Sequence, residues 1–148
     1  GDAHAGLAIA IDLGAGEDMH PPHKRELGRR LAALAETLLH GAGPASSGPV
    51  PSTFEPRGGG CLVRFSGALG ELRSRGELTG FELLDPAGTW WPAPAALAEG
   101  GVWVGPLGFE ARAVRYAFCD QPASPLRDSQ GRVASPFSSA ADALEPGG

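Results

Sequence analysis

Cysteine is scarce in this chain: Cys61 and Cys119 are the two thiols among 148 residues. That is too few for a disulfide-stapled scaffold, and neither lies near a histidine pair that would make a zinc motif. The two fall on separate expected strands, where they either pair across neighbours or stay as buried thiols, so the count does not fix a compartment. Basic runs are also missing. The net charge is −5, and Arg29-Arg30 and Arg73 to Arg75 are short enough to be solvated faces. This excludes nucleic acid and an anionic membrane as partners. No apolar run approaches the ~20 residues that span a bilayer. A secretory leader is absent from the start, as it would be from a chain lacking its natural N-terminus. There is no sequence repeat, and no serine stands in a nucleophile elbow. Ser46 and Ser47 lie in a Gly/Pro-rich stretch and Ser135 precedes Pro136, all settings of turn formers.

What the chain has in abundance is glycine and proline, Gly 23 and Pro 14, a quarter of all residues. Tracts at that level approach low-complexity disorder. Here they are interleaved with apolar runs, which favours a loop-rich β architecture. At this length one ordinary core can be buried.

The organising stretch runs from Leu7 to Pro22. Leu7, Ile9, Ile11 and Leu13 alternate with small residues, the pattern of a strand buried on both faces. Gly14 and Gly16 permit a sharp turn after it, at the end of a strand where open α/β sheets bind ligands. The loop then carries Glu17, Asp18 and His20. A histidine with a neighbouring carboxylate can accept a proton from a hydroxyl nucleophile near neutral pH, although such a residue is more commonly a solvated loop histidine. His20-Pro21-Pro22-His23, with Glu17 or Asp18, also has the donors for a metal. The two prolines restrict that geometry, and no metal or other cofactor is expected. His4 and His40 are ordinary surface candidates.

Pro21-Pro22 open a helix over about 22–40, with Leu27, Leu31, Leu34 and Leu38 on one face and Ala35 and Leu39 beside them. That face should pack on the sheet containing Ile9 and Ile11. Lys24, Arg25, Arg29, Arg30 and Glu36 should lie mainly outward. Gly41 fits the helix stop. Residues 42–51 read as a linker. Beyond it come strand patterns: Cys61 to Phe65, Gly80 to Leu84, the turn Asp85-Pro86-Ala87-Gly88, an edge-like Trp90-Trp91-Pro92, Gly101 to Val104, and Ala111 to Phe118. In the last, Arg112, Val114, Tyr116 and Phe118 share one face. Trp90, Trp91 and Trp103 are candidate sugar platforms, with core packing the commoner use of tryptophan. Residues 142–148 are expected to fray.

Asp18-Met19-His20-Pro21, then Lys24 and Gly28-Arg29-Arg30-Leu31-Ala32, resembles the last catalytic block of the bacterial sialate O-acetylesterases, serine esterases of the SGNH (GDSL-like) hydrolase group. The resemblance continues through Leu78-Thr79-Gly80-Phe81-Glu82, Ala113-Val114-Arg115-Tyr116-Ala117 and Ala134-Ser135-Pro136-Phe137, in order along nearly the whole chain. It implies an α/β plus β fold: residues 1–43 as the C-terminal strand–loop–helix of a three-layer SGNH-hydrolase domain, and residues 44–148 as a small antiparallel β-sandwich-like accessory domain. It implies a C-terminal fragment of a carbohydrate esterase that removes acetyl groups from sialic acid or related glycans. His20 would be the acid–base residue. Asp18 matches the Asp-x-His-Pro pattern as its orienting acid, and Glu17 sits at the spacing of the wider group's Asp-x-x-His block. The nucleophile and oxyanion-hole blocks of the group are not found, and Gly1-Asp2-Ala3 has alanine where serine would stand. On this reading the chain alone is inactive, its partner is the missing N-terminal part, and the enzyme works in the periplasm or outside the cell. An acetylxylan-type esterase fragment and a non-catalytic carbohydrate-binding β module are the alternatives.

Overall fold

The computed structural model describes residues 5–14, 23–41, 48–119, 122 and 126–140. Helix α1 spans Lys24–His40 and ends as its sequence suggests. Gly41 takes φ +66°, and its N–H reaches the Thr37 carbonyl at 2.9 Å, a left-handed cap that glycine adopts without strain. Glu26 stands in the first turn, where a negative charge suits the helix dipole.

The face that α1 buries differs from the expected leucine stripe. Arg30 and Leu34 are the buried residues, while Leu31 is exposed and Leu39 is 78% exposed. Arg30, read from sequence as outward, points inward. The helix lies against residues 5–14, with Leu34 so close to Gly6 that a methyl there would meet its side chain at 2.9 Å. Those residues do not form the expected strand. They make a single bridge at Leu7 and then a turn in which the Leu13 N–H bonds the Ala10 carbonyl at 3.0 Å. Ile9 and Leu13 are buried and Ile11 is half-buried, but Leu7 is 60% exposed and Ala10 is exposed, so the expected burial of both faces is not met. No described strand runs beside them, and a strand without a ladder leaves its backbone groups unpaired.

The rest is antiparallel β structure. Strands β1 (Val50–Arg57), β2 (Gly60–Ser66), β6 (Ala95–Ala98) and β7 (Gly101–Val104) form one sheet in the order β1-β2-β7-β6. Strands β4 (Phe81–Leu84), β5 (Trp90–Pro92), β8 (Ala113–Tyr116) and β10 (Phe137–Ser138) form a second in the order β10-β8-β4-β5. A two-stranded ribbon joins β3 (Leu72–Arg73) to β9 (Arg127–Asp128). Gly58 and Gly59, at φ +52° and +76°, turn β1 into β2 as a two-residue hairpin whose geometry requires positive φ at both positions.

The two four-stranded sheets share one core. Cys61 and Val63 from β2 and Val102 and Val104 from β7 meet Phe81 and Leu83 from β4 and Val114 and Tyr116 from β8, with Leu126, Ala134 and Phe137 closing the side. Each fully buried side chain of this kind contributes about 1.5–3 kcal/mol, so the sandwich carries most of the stability, while α1 has one buried leucine. Tyr116 is fully buried and its hydroxyl oxygen accepts the Leu126 N–H at 2.5 Å; burial pushes the phenol up to about 12. The alternation expected up to Phe118 stops at Tyr116, because Ala117 turns to φ +55° and leaves Phe118 exposed. Cys61 is buried and Cys119 exposed, and both are free thiols.

Candidate active site

The residues singled out for catalysis, Glu17, Asp18 and His20, lie outside the described residues. So do Ser46 and Ser47. The chain on either side of the acidic–histidine stretch is described, and its geometry shows what holds those flanks together. Before it stands Asp12; after it begins α1.

Asp12 is the hub. Its side chain is 7% exposed and accepts three charged hydrogen bonds. Arg30 gives two of them, Nη1 to Oδ1 at 2.7 Å and Nη2 to Oδ2 at 2.8 Å, the parallel fork that suits guanidinium and carboxylate. The third comes from Arg127 Nη2 on β9, 2.8 Å from Oδ2. Arg30, 8% exposed, spends its remaining donors on the Ile9 carbonyl at 2.6 Å and on Glu26 at 3.0 Å. Glu26 also takes Arg29 at 2.8 and 2.9 Å. One carboxylate therefore ties the segment before the loop, the helix after it, and the β3–β9 ribbon 115 residues away.

The electrostatics follow from this geometry. Burial by itself would raise the Asp12 carboxyl, but the hydrogen bonds from Arg30 and then Arg127 outweigh it and hold the group at about 2. Asp12 stays ionised across the working range and has no proton to give. Its role is to hold the flanks of the loop in place. Sequence reading missed the cluster, although two signals were present. A lone aspartate inside a buried apolar run needs a buried partner, and Arg30 lies at helical spacing between Leu27 and Leu34.

Ser135 is buried, its Oγ donates to the Pro136 carbonyl at 3.1 Å, and no base stands beside it among the contacts described. His23 is exposed at the helix N-cap and makes no capping bond with its side chain. Among the described residues there is no cluster of three His, Cys, Asp or Glu arranged to hold a metal. Trp90 lies beneath the Arg115 guanidinium, 4.4 Å from ring centre, and Arg115 is itself paired with Glu82 at 2.6 Å. Trp91 is 49% exposed with its indole N–H on Asp85 at 2.8 Å. The adjacent tryptophans thus divide, one half-buried and one open. Trp103 lies on the outer face of the first sheet, in a groove with Leu62 and Arg64.

Comparison with solved structures supports a relationship. A carbohydrate acetylesterase from Xanthomonas citri superposes with a TM-score of 0.80 and 28% sequence identity over 88% of this chain. The chain is related to a carbohydrate esterase. It spans about a third of that enzyme, 31% of its length. No family model matches the chain, and no curated protein matches it in sequence. The esterase relationship read from the Asp18–Pro21 block and the three later segments is therefore supported, as is a fold of antiparallel sheets with one helix.

Proposed function

We propose that this chain supplies the acid–base histidine and the accessory β sandwich of a carbohydrate O-acetylesterase of the SGNH type. The observation that carries the reading is the likeness to the acetylesterase over 88% of the chain. The Asp18-Met19-His20-Pro21 block agrees with it. The clamp at Asp12 supports it too, because a loop that does chemistry needs fixed flanks.

In this reading a serine from the remainder of the enzyme attacks the acetyl carbonyl. His20 accepts the serine hydroxyl proton as the C–O bond forms, and the tetrahedral oxyanion collapses with loss of the sugar alkoxide. His20 protonates that leaving oxygen, which gives acetyl-serine and a free sugar hydroxyl. Water then repeats the sequence: His20 takes its proton, acetate leaves, and serine regains its hydrogen. Asp18 fixes the imidazole tautomer and stabilises the imidazolium, with Glu17 as the alternative orienting acid. The substrates are acetylated sialic acid or related glycans, with acetylated xylan the neighbouring choice. Such substrates lie in the periplasm or outside the cell, and the enzyme is placed there with them.

The test is acetate release from O-acetylated sugars by the enzyme that carries this chain. Asp18→Asn is expected to lower kcat at least about 100-fold with KM little changed, since loss of the orienting carboxylate in such triads costs up to about 10,000-fold. Glu17→Gln should have little effect. No acetate from any acetylated sugar would overturn the reading, and the reverse ranking of the two variants would exchange the roles of Glu17 and Asp18.

A further inference from the structure

The outer face of the β1-β2-β7-β6 sheet holds a groove of about 370 Å³ that the hydrolytic reading does not use. Its size lies within the roughly 300–1,000 Å³ of small-molecule sites. Arg57, Leu62, Arg64, Ala98, Glu99 and Trp103 line it. The strand alternation explains why these side chains point outward. Cys61 and Val63 on β2 and Val102 and Val104 on β7 fill the core, so Leu62 and Trp103, direct partners across the two strands, occupy the opposite face.

Three features make the groove more than a sheet surface. First, the indole of Trp103 is laid across β2 over a residue with no side chain. A Cβ on Gly60 would stand 2.7 Å from its Cζ2 and 2.9 Å from its Cη2. The half-buried ring is thereby held in one place, with Leu62 beneath the groove. Second, Arg64 is fixed by Glu55 at 2.6 Å and by the Glu99 carbonyl at 3.4 Å, so its charge is balanced and its position set. Third, Arg57 is exposed at the end of β1 and its guanidinium makes no hydrogen bond to a described residue; the charge acting on it is Glu55, whose carboxylate is already engaged by Arg64. An aromatic surface laid against the β2 backbone thus stands beside a guanidinium whose N–H donors are not taken up by a described acceptor.

We propose that this groove is a subsite for an acidic pyranoside, a uronic-acid residue of a glycan. The C–H face of the sugar ring stacks on Trp103, the sugar carboxylate takes the fork of Arg57, and the Glu99 carboxylate accepts ring hydroxyl donors. The choice of a sugar among acidic ring compounds rests on the carbohydrate esterase reading; the pairing of an aromatic face with the Arg57 guanidinium does not. The sandwich then acts as a grip on the polymer at a point away from the histidine loop.

The experiment is isothermal titration of the 148-residue chain with trigalacturonic acid and with neutral galactotriose. The acidic trisaccharide should bind saturably, and the neutral one about tenfold or more weakly, the loss expected for one hydrogen-bonded charge pair. Arg57→Gln should remove that preference, weakening the acid about tenfold and leaving the neutral sugar unchanged. Trp103→Ala should weaken both. Arg57 is exposed, so its variant keeps the fold, and circular dichroism checks this for Trp103→Ala. No saturable binding of the acid, equal affinity for the two sugars, or undiminished affinity in Arg57→Gln would overturn the proposal. Binding needs neither His20 nor a nucleophile. Intact acetate release without binding sinks the subsite alone, and binding without acetate release sinks the esterase reading alone.

Discussion

Replacing Asp12 by alanine should loosen the joint between the histidine loop's flanks and the β3–β9 ribbon. Two magnitudes can be worked from the geometry. The fall of the carboxyl from 3.8 to about 2 corresponds to about 2 kcal/mol of stability near neutral pH. Removing the carboxylate goes further, because Arg30 stays 8% exposed with a charge that has lost its two best acceptors. Breaking one side of a buried pair costs about 3–5 kcal/mol, and the bonds Arg30 keeps to Glu26 and Ile9 put the loss at the lower end, about 3 kcal/mol. Urea unfolding followed by the circular dichroism of α1 measures it. The folded pKa is depressed, so the stabilisation is present above the unfolded value of 3.8 and fades as pH falls through about 2. Wild type and Asp12→Ala should therefore draw together by about 1 kcal/mol between pH 5 and pH 3. A double-mutant cycle with Arg30→Met should be non-additive by more than about 1 kcal/mol. An Asp12→Ala loss below about 0.5 kcal/mol, or a gap indifferent to pH, would refute the reasoning.

Other consequences are open to simpler assays. The buried Asp128 carboxylate accepts the N–H groups of Leu69, Gln130 and Arg132 and the Arg132 side chain, all within 3.0 Å. Asp128→Ala should cost about 3–5 kcal/mol and release amide protection around residues 69 and 130–132 in hydrogen exchange; unchanged exchange there would argue against its role as a hub. Cys119 is exposed and should react with a thiol reagent in the native protein, whereas Cys61 is buried, with burial pushing its thiol up, and should react only on unfolding. Two thiols titrating together without denaturant would contradict the packing of β2.

How much of this was legible beforehand depended on what each stretch leans on. Gly101 to Val104 and Cys61 to Phe65 were readable as strands because burial makes their own residues apolar. Asp85 to Gly88 was readable as a turn because its chemistry is local: Asp85 accepts the Thr89 N–H at 2.8 Å. The first two residues of strand β1, Val50 and Pro51, were read as linker because they end a stretch rich in Gly, Pro, Ser and Ala. β1 is an edge strand, where a missing N–H is tolerated on the outer side. The two-residue strands β3, β9 and β10 have no period to detect. Leu7 to Leu13 shows the converse, a strand pattern that ends in a turn and forms no ladder with a described strand. The Asp12 cluster joins residues 12, 30 and 127, and nothing within a local window places three such positions together. The histidine loop itself rests on its residues and on the esterase relationship.

The most direct measurement is therefore the steady-state rate of acetate release from an O-acetylated sugar by the enzyme carrying this chain, wild type against His20→Ala, with unfolding curves to show equal stability. Loss of general acid–base assistance should lower kcat about 100- to 10,000-fold. A folded His20→Ala enzyme that releases acetate at the wild-type rate would contradict the account.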